Sequence, residues 1–244
     1  MDDHKQVVGV IIPAGGASQR FGPGQPKQFV NLDGWPILAH SLSKFDQTEA
    51  VDQIVVVVPY DQLEYVRKNI IISFGFSKVA AVVAGGDTRQ ESVYNGFLSM
   101  PDDVDLVVIH DGVRPLVRVS TIEAVVEMAG LHGAAISAIK VRDTLKEVNN
   151  GVIQTTLDRD HVWQSQTPQA FDRLLLAEAL AQARTDNFIG TDEATLVERM
   201  GYPVHIVPGA PENVKITMPE DLILARLLLE YENKESQNAC RTGV

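Results

Sequence analysis

The chain has 244 residues, 45% of them hydrophobic, enough for a sizeable core and far from the composition of disordered or disulfide-built proteins. Its formal net charge of -11 makes a nucleic-acid backbone a poor partner, and any anionic ligand then needs a local basic site. One cysteine, Cys240, permits no internal disulfide, and the six histidines are scattered without zinc-like spacing. No apolar run approaches the roughly 20 residues of a membrane span. The acidic start, Met1-Asp2-Asp3-His4-Lys5, does not read as a signal peptide. A cytoplasmic protein with no membrane or nucleic-acid partner is expected.

Val7–Ile12 reads as a first strand, rich in Val and Ile and lacking clean alternation, as suits burial on both faces of a parallel sheet. The glycine-rich stretch Pro13–Lys27 follows it. A helical pattern at Pro36–Phe45 leads to a second strand, Gln53–Val58, and a helix at Asp61–Ser73 opens on Asp61-x-x-Glu64. The strand Lys78–Val83, helix Gln90–Met100, strand Asp105–Ile109, helix Thr121–Leu131 (signalled by Ser120-x-x-Glu123) and strand Ala134–Ile139 continue the alternation. It predicts an α/β, Rossmann-like fold: a mostly parallel sheet flanked by helices, with right-handed crossovers.

The pattern then breaks. Thr144–Val148 and Val152–Thr156 flank Asn149-Asn150-Gly151, a hairpin signal. An isolated hairpin is marginal in water, so this projecting β-hairpin arm must pack on its own domain or on a second subunit. Thr167-Pro168-Gln169 reads as a turn after the arm. Helices are expected at Arg173–Ala183 and Thr191–Met200, a strand at Val204–Val207, and a last helix from Thr217-x-Pro219-Glu220 to about Glu232. Residues 1–232 are read as one domain that includes the arm at about 140–160, and 233–244 as a polar, frayed tail.

The loop from Pro13 to Lys27 carries the first chemical signal. It leaves a buried strand at the end where open α/β sheets bind ligands. Its glycines let backbone N–H groups approach a phosphate, and Arg20 and Lys27 add positive charge to an acidic chain. It is neither a Walker A sequence nor G-x-G-x-x-G, so a kinase-type loop and a dinucleotide fingerprint are disfavoured. Asp111, just past the fourth strand, is either a carboxylate for Mg²⁺ or a turn-forming Asp. Gly85-Gly86-Asp87-Thr88-Arg89-x-x-Ser92 starts a helix whose N-terminus suits an anion or a base edge. Arg89 is equally readable as a helix-surface charge.

Several motifs in order carry a resemblance. They are Ala14-Gly15-Gly16 with Arg20 and Pro26-Lys27, His110-Asp111-Gly112-Val113-Arg114-Pro115, Val141-x-Asp143-Thr144-Leu145-Lys146 and Leu157-Asp158-Arg159. Gln166-Thr167-Pro168-Gln169-Ala170-Phe171, Thr191-Asp192-Glu193-Ala194 and Glu212-Asn213-Val214-Lys215-Ile216-Thr217 follow. Together, from about residue 7 to residue 230, the chain resembles the sugar-phosphate nucleotidyltransferase family and, within it, the 2-C-methyl-D-erythritol 4-phosphate cytidylyltransferases.

The resemblance implies transfer of CMP from CTP to a polyol phosphate in the non-mevalonate isoprenoid pathway. It assigns Arg20 and Lys27 to the transition state and Asp111 to Mg²⁺. Ala14, Gly15, Gly16, Gly86, Asp87, Ser92 and Gly112 fall to CTP, and Thr144, Arg159, Thr167 and Lys215 to the acceptor. The arm carrying Thr144 and Arg159 reaches a neighbouring subunit's site in the family, so a homodimer with shared active sites is expected. Arg159 is also readable as a salt-bridge partner of Asp158 or Asp160. The nearest rival is a cytidylyltransferase acting on ribitol 5-phosphate. A non-catalytic nucleotide-binding protein would have lost Arg20, Lys27 or Asp111, and all three are present.

Overall fold

The computed structural model describes residues 5–16, 21 and 26–242. The Val- and Ile-rich runs become strands, and the amphipathic stretches pack on both faces of one sheet. In chain order, β1 (Val8–Pro13) leads through the glycine loop to a two-stranded ribbon, β2 (Asn31–Leu32) and β3 (Trp35–Pro36). The alternation runs on through α1 (Ile37–Gln47), β4 (Gln53–Val58), α2 (Leu63–Val66), β5 (Val79–Ala84), α3 (Arg89–Leu98), β6 (Leu106–Ile109), α4 (Val119–His132) and β7 (Ala134–Lys140). The arm is β8 (Lys146–Asn149) and β9 (Val152–Thr156). After it come β10 (Trp163–Asp172), α5 (Arg173–Thr185), α6 (Glu193–Arg199), β11 (His205–Pro208) and α7 (Pro219–Thr242).

Seven strands form one sheet in the order β11-β7-β10-β6-β1-β4-β5. All neighbours are parallel except β10, which runs antiparallel to both β6 and β7. The expected α/β class is therefore observed. The pleat divides the core in two. Val10, Ile12, Val56 and Val108 face a layer that holds α1 and α4, while Ile11, Val55, Val57, Val107 and Ile109 face α3, α5 and α6. Each such side chain, fully buried, contributes on the order of 1.5–3 kcal/mol, which is why these strands read as continuous apolar runs.

Close packing fixes α3 over β1 and β4. A Cβ on Gly96 would meet Ile11 Cγ2 at 2.6 Å and Val57 Cγ2 at 2.9 Å, so any larger residue would push the helix off the sheet. The N-terminus of α3 is thereby aimed past the carboxyl ends of β1 and β6, the point where the strand order reverses direction.

Four local expectations change. Residues 60–72 are not one helix: a 3₁₀ turn at Tyr60–Gln62 precedes α2, and Arg67–Ile72 is π-helical. Ser120 already lies inside α4, whose cap is Arg118, and the capping box sits instead at Thr88 and Glu91. Thr167-Pro168-Gln169 is not a turn. It lies within β10, where the pairing with β7 shifts register between Ser165 and Gln169 around a cis Thr167–Pro168 bond. Proline has no N–H for a ladder and is accommodated where the ladder is broken. Finally, α7 continues to Thr242 rather than ending near Glu232.

The hairpin arm is present as expected. Asn150 and Gly151 both have positive φ, 49° and 79°, the backbone that a two-residue hairpin turn requires. Among the described residues its strands pair only with each other, and Val148, Val152 and Ile153 are exposed.

Candidate active site

A cleft of about 280 Å³ opens beyond the carboxyl ends of β1, β5 and β6. Ala14, Gly15 and Gly16 line one side, with Lys27 at the start of a 3₁₀ turn, Lys27–Phe29. The Ala14 N–H donates to the Val57 carbonyl at 2.7 Å, so the start of the loop is tied to the end of β4. Gly86, Asp87 and Ser92 line the same cleft. The Gly86 N–H donates to Ser92 Oγ at 3.2 Å, and Ser92 Oγ donates to the Thr88 carbonyl at 2.9 Å. Ser92 thus shapes the loop over α3 with its hydroxyl. A side chain on Gly86 would collide with Glu91, whose carboxylate closes the capping box.

Gly112 lies behind this wall. Its N–H donates to the Pro13 carbonyl, its carbonyl accepts from Ser41 Oγ, and a Cβ there would meet Ala14 and Leu38 at 3.1 Å. It brings β6 and β1 together at the cleft floor and does not itself line the cleft. Arg20 lies outside the described residues.

Asp111 is the electrostatic centre. Its side chain is buried, and its carboxylate is held by three cations. Arg89 Nε reaches Oδ1 at 3.2 Å, Arg114 Nε reaches Oδ2 at 3.3 Å and Lys215 Nζ reaches Oδ2 at 2.9 Å. Burial alone would raise its pKa. Arg89, Lys215 and Arg114 outweigh it and hold the carboxyl well below the usual range. Arg89 also donates from NH1 to both oxygens of Glu193 at 2.9 Å. Burial would lower the Arg89 pKa, and Glu193 and Asp111 together raise it above its ordinary value.

The residues behind Asp111 form one hydrogen-bond chain. The Arg114 carbonyl can only accept, so the contact with His110 Nε2 at 3.1 Å puts the ring hydrogen on Nε2. His110 is fully buried, and burial lowers its pKa to about 4, so the ring is neutral and Nδ1 accepts. Thr167 Oγ1 donates to that Nδ1 at 3.1 Å and accepts the Asp111 N–H at 3.0 Å. Asn213 Nδ2 donates to the Thr167 backbone carbonyl at 2.8 Å, and the Asn213 backbone carbonyl accepts from Arg114 NH1. The irregular stretch of β10 therefore locks the end of β6.

A second cleft of about 210 Å³ shares Arg89, Asp111 and Lys215 with the first and adds Arg114, Thr167, Gln169, Thr191 and Asp192. Thr144 and Arg159 line neither cleft. Both are exposed on the arm, and Arg159 NH1 donates to the Arg142 carbonyl at 3.4 Å. Asp158, offered as a partner for Arg159, pairs with His161 at 2.9 Å.

Sequence reasoning left Arg89 open and assigned no role to Glu193. Glu193 entered only as part of the Thr191-Asp192-Glu193-Ala194 motif, and the structure places it in the first turn of α6, behind the cap Asp192. What neither propensity nor spacing discloses is that α6 sets its first turn against α3. Among the described residues no group of three or more His, Cys, Asp or Glu could hold a metal by itself, and no helix is long and apolar enough to cross a membrane.

A family model described as 2-C-methyl-D-erythritol 4-phosphate cytidylyltransferase (IspD) matches residues 8–231. A protein of that name from Syntrophus aciditrophicus is 45% identical over 229 residues, covering 93% of this chain and 98% of the relative. One from Geotalea uraniireducens is 42% identical over 230 residues, with 93% and 99% covered. The crystal structure of 4-diphosphocytidyl-2C-methyl-D-erythritol synthase from Anaerococcus prevotii superposes with a TM-score of 0.83 at 28% identity, covering 93% of this chain and 97% of that one. The 2-C-methyl-D-erythritol 4-phosphate cytidylyltransferase of Thermus thermophilus gives 0.75 at 32% identity, with 91% and 98% covered. With its sheet, its paired clefts and these matches along nearly its whole length, the chain belongs to the 2-C-methyl-D-erythritol 4-phosphate cytidylyltransferase family.

Proposed function

We propose that this chain transfers the CMP unit of CTP to 2-C-methyl-D-erythritol 4-phosphate and releases pyrophosphate. The observation that carries the reading is the wall shared by the two clefts, formed by Arg89, Asp111 and Lys215. CTP over Ala14, Gly15, Gly16, Gly86 and Asp87 and a polyol phosphate in the second cleft then meet at one charged seam.

The acceptor phosphate oxygen forms a bond to the α-phosphorus of CTP. The bond from that phosphorus to the pyrophosphate oxygen breaks, and pyrophosphate leaves with the electron pair. The nucleophile is already ionised, so no side chain has to remove a proton, and the buried neutral His110 is not asked to. Both reactants are anions, and alignment and positive charge are what the protein supplies. Lys27 and Arg20 stabilise the charge that develops on the α- and leaving phosphates. Lys215, half exposed beside Asp111, steers the acceptor phosphate. Thr167, whose hydroxyl is occupied by Asp111 and His110, acts by fixing Asp111.

Asp111 is the residue that would hold Mg²⁺. It offers one hard, ionised carboxylate at the cleft, which fits an ion that takes one or two protein carboxylates and draws its remaining oxygen ligands from phosphates and water. When bound, the ion supplies positive charge against the triphosphate.

The working unit in this reading is a cytoplasmic homodimer, drawing on the cytoplasmic nucleotide pool. Each arm brings Thr144 and Arg159 to the partner's second cleft, and the exposed Val148, Val152 and Ile153 become contact surface. Pyrophosphate release from CTP with each of two polyol phosphates tests the assignment. A kcat/KM for methylerythritol phosphate roughly 10-fold or more above that for ribitol 5-phosphate is expected, since a branch in a shaped pocket is worth about that factor. Equal or better use of ribitol 5-phosphate would overturn the acceptor.

A further inference from the structure

One guanidinium joins two buried carboxylates from different parts of the chain. Arg89 opens α3, Asp111 follows β6 and Glu193 stands in the first turn of α6. Glu193 is 1% exposed and lines neither cleft, whereas Arg89 lines both. Both Glu193 oxygens accept from the same nitrogen of Arg89, which leaves Arg89 Nε directed at Asp111.

The segment that carries Glu193 is itself braced. Asp192 Oδ1 accepts from the Thr195 N–H and hydroxyl, while Oδ2 accepts from Ser165 Oγ and Gln169 Nε2 at 2.9 and 2.8 Å. Gln169 Oε1 accepts the Ala194 N–H. From the other side, Gln90 ties α3 to the chain before α6, accepting from the Gly190 N–H and donating to the Phe188 carbonyl. Burying a carboxylate this deeply is costly, and an ion pair in such a place is seldom more stabilising than an apolar pair of equal size. Its position at the junction of two ligand clefts gives it a different purpose.

We propose that Glu193 is a positioning residue for nucleotidyl transfer: it holds Arg89 in the wall common to the nucleotide and acceptor clefts. It touches no ligand and acts through Arg89 and, beyond it, Asp111. The proposal rests on the functional reading above for its chemistry, and on the Glu193–Arg89–Asp111 geometry for its structure.

Glu193→Gln, which keeps the shape and removes the charge, should lower kcat roughly 10- to 100-fold, the effect of a small misalignment at a reacting centre, with KM for CTP changed by less than about 3-fold. Glu193→Asp, which keeps the charge on a shorter stem, should recover part of that loss and also serves if the Gln variant does not fold. In an Arg89→Ala background, adding Glu193→Gln should lower kcat no further, because the two residues act as one unit. Independently of turnover, a slowly exchanging Arg89 Nε–H resonance should be present in the wild type and lost in Glu193→Gln. Wild-type turnover is measured first, on methylerythritol phosphate and on ribitol 5-phosphate, so that failure of the acceptor assignment is seen separately. Wild-type kcat in folded Glu193→Asp and Glu193→Gln, a fully additive double variant, or an unchanged Arg89 resonance would each overturn the proposal.

Discussion

The Thr167 hydroxyl stands between two groups at the end of β6, accepting the Asp111 N–H at 3.0 Å and donating to His110 Nδ1 at 3.1 Å. Thr167→Val keeps the shape and strands both groups in a buried site. Each unpaired buried group costs about 1–3 kcal/mol, so a loss of stability of roughly 2 kcal/mol or more is expected by urea denaturation. Thr167→Ser keeps the hydroxyl and should remain within about 1 kcal/mol of the wild type. A Thr167→Val protein of normal stability with a raised KM for the acceptor would return Thr167 to a direct substrate contact.

His110 makes stability depend on pH in a definite direction. Burial lowers its pKa to about 4 in the folded protein, against 6.5 for the ordinary side chain. Between those values the unfolded chain takes up a proton that the folded chain refuses. Stability therefore falls as pH drops from 6.5 towards 4 and levels off below, by roughly 3 kcal/mol over the full window. His110→Asn removes that contribution. Urea midpoints measured at pH 7 and pH 4.5, without metal or nucleotide, should separate less in the variant than in the wild type. Parallel pH curves would show that His110 is protonated equally in both states.

The layers of this protein were legible because the buried strands β1, β4 and β6 carry little but Val, Ile and Leu and the helices between them carry one apolar face. The glycine loop was legible because Gly15, Gly16 and Lys27 follow a buried strand. β10 was not, since Thr167-Pro168-Gln169 has turn chemistry and only the partner strands β6 and β7 on either side make it a strand. The wiring around Asp111 was equally hidden. Arg89 and Glu193 open two helices and Lys215 lies in the chain between β11 and α7, each separated from the others by tens of residues, and local signals report helix starts, not what those starts face. The arm is the reverse case: its turn was plain from Asn150-Gly151, while no local signal says what its exposed Val148, Val152 and Ile153 pack on.

Lys27 should be needed for rate rather than for folding. It lines the first cleft and is half-buried at the start of a short 3₁₀ turn; Phe29 at the end of that turn joins a sheet-facing core, and Lys27 itself belongs to neither. A well-placed donor at a developing oxyanion is worth about 3–4 kcal/mol, so Lys27→Ala should lower turnover roughly 100-fold or more. Circular dichroism and the urea midpoint should stay near wild-type values. A folded variant with near-normal pyrophosphate release would remove Lys27 from the transition state.

Sharing of sites between subunits has a quantitative signature. Among the described residues, Thr144 and Arg159 line neither cleft of their own chain, and the strands of the arm pair only with each other. If the arm serves the partner, Lys27→Ala and Arg159→Ala damage different chains of the same site. Co-refolding the two inactive variants in equal amounts then gives hybrids with one intact site, made of Lys27 from one chain and Arg159 from the other, beside one site with both defects. Half of the dimers formed at random are such hybrids, so about a quarter of wild-type activity should return. If each arm serves its own chain, every hybrid site carries one defect and nothing returns. A mixture that stays inactive while sedimentation shows dimers would confine Arg159 to its own subunit and refute the shared arrangement.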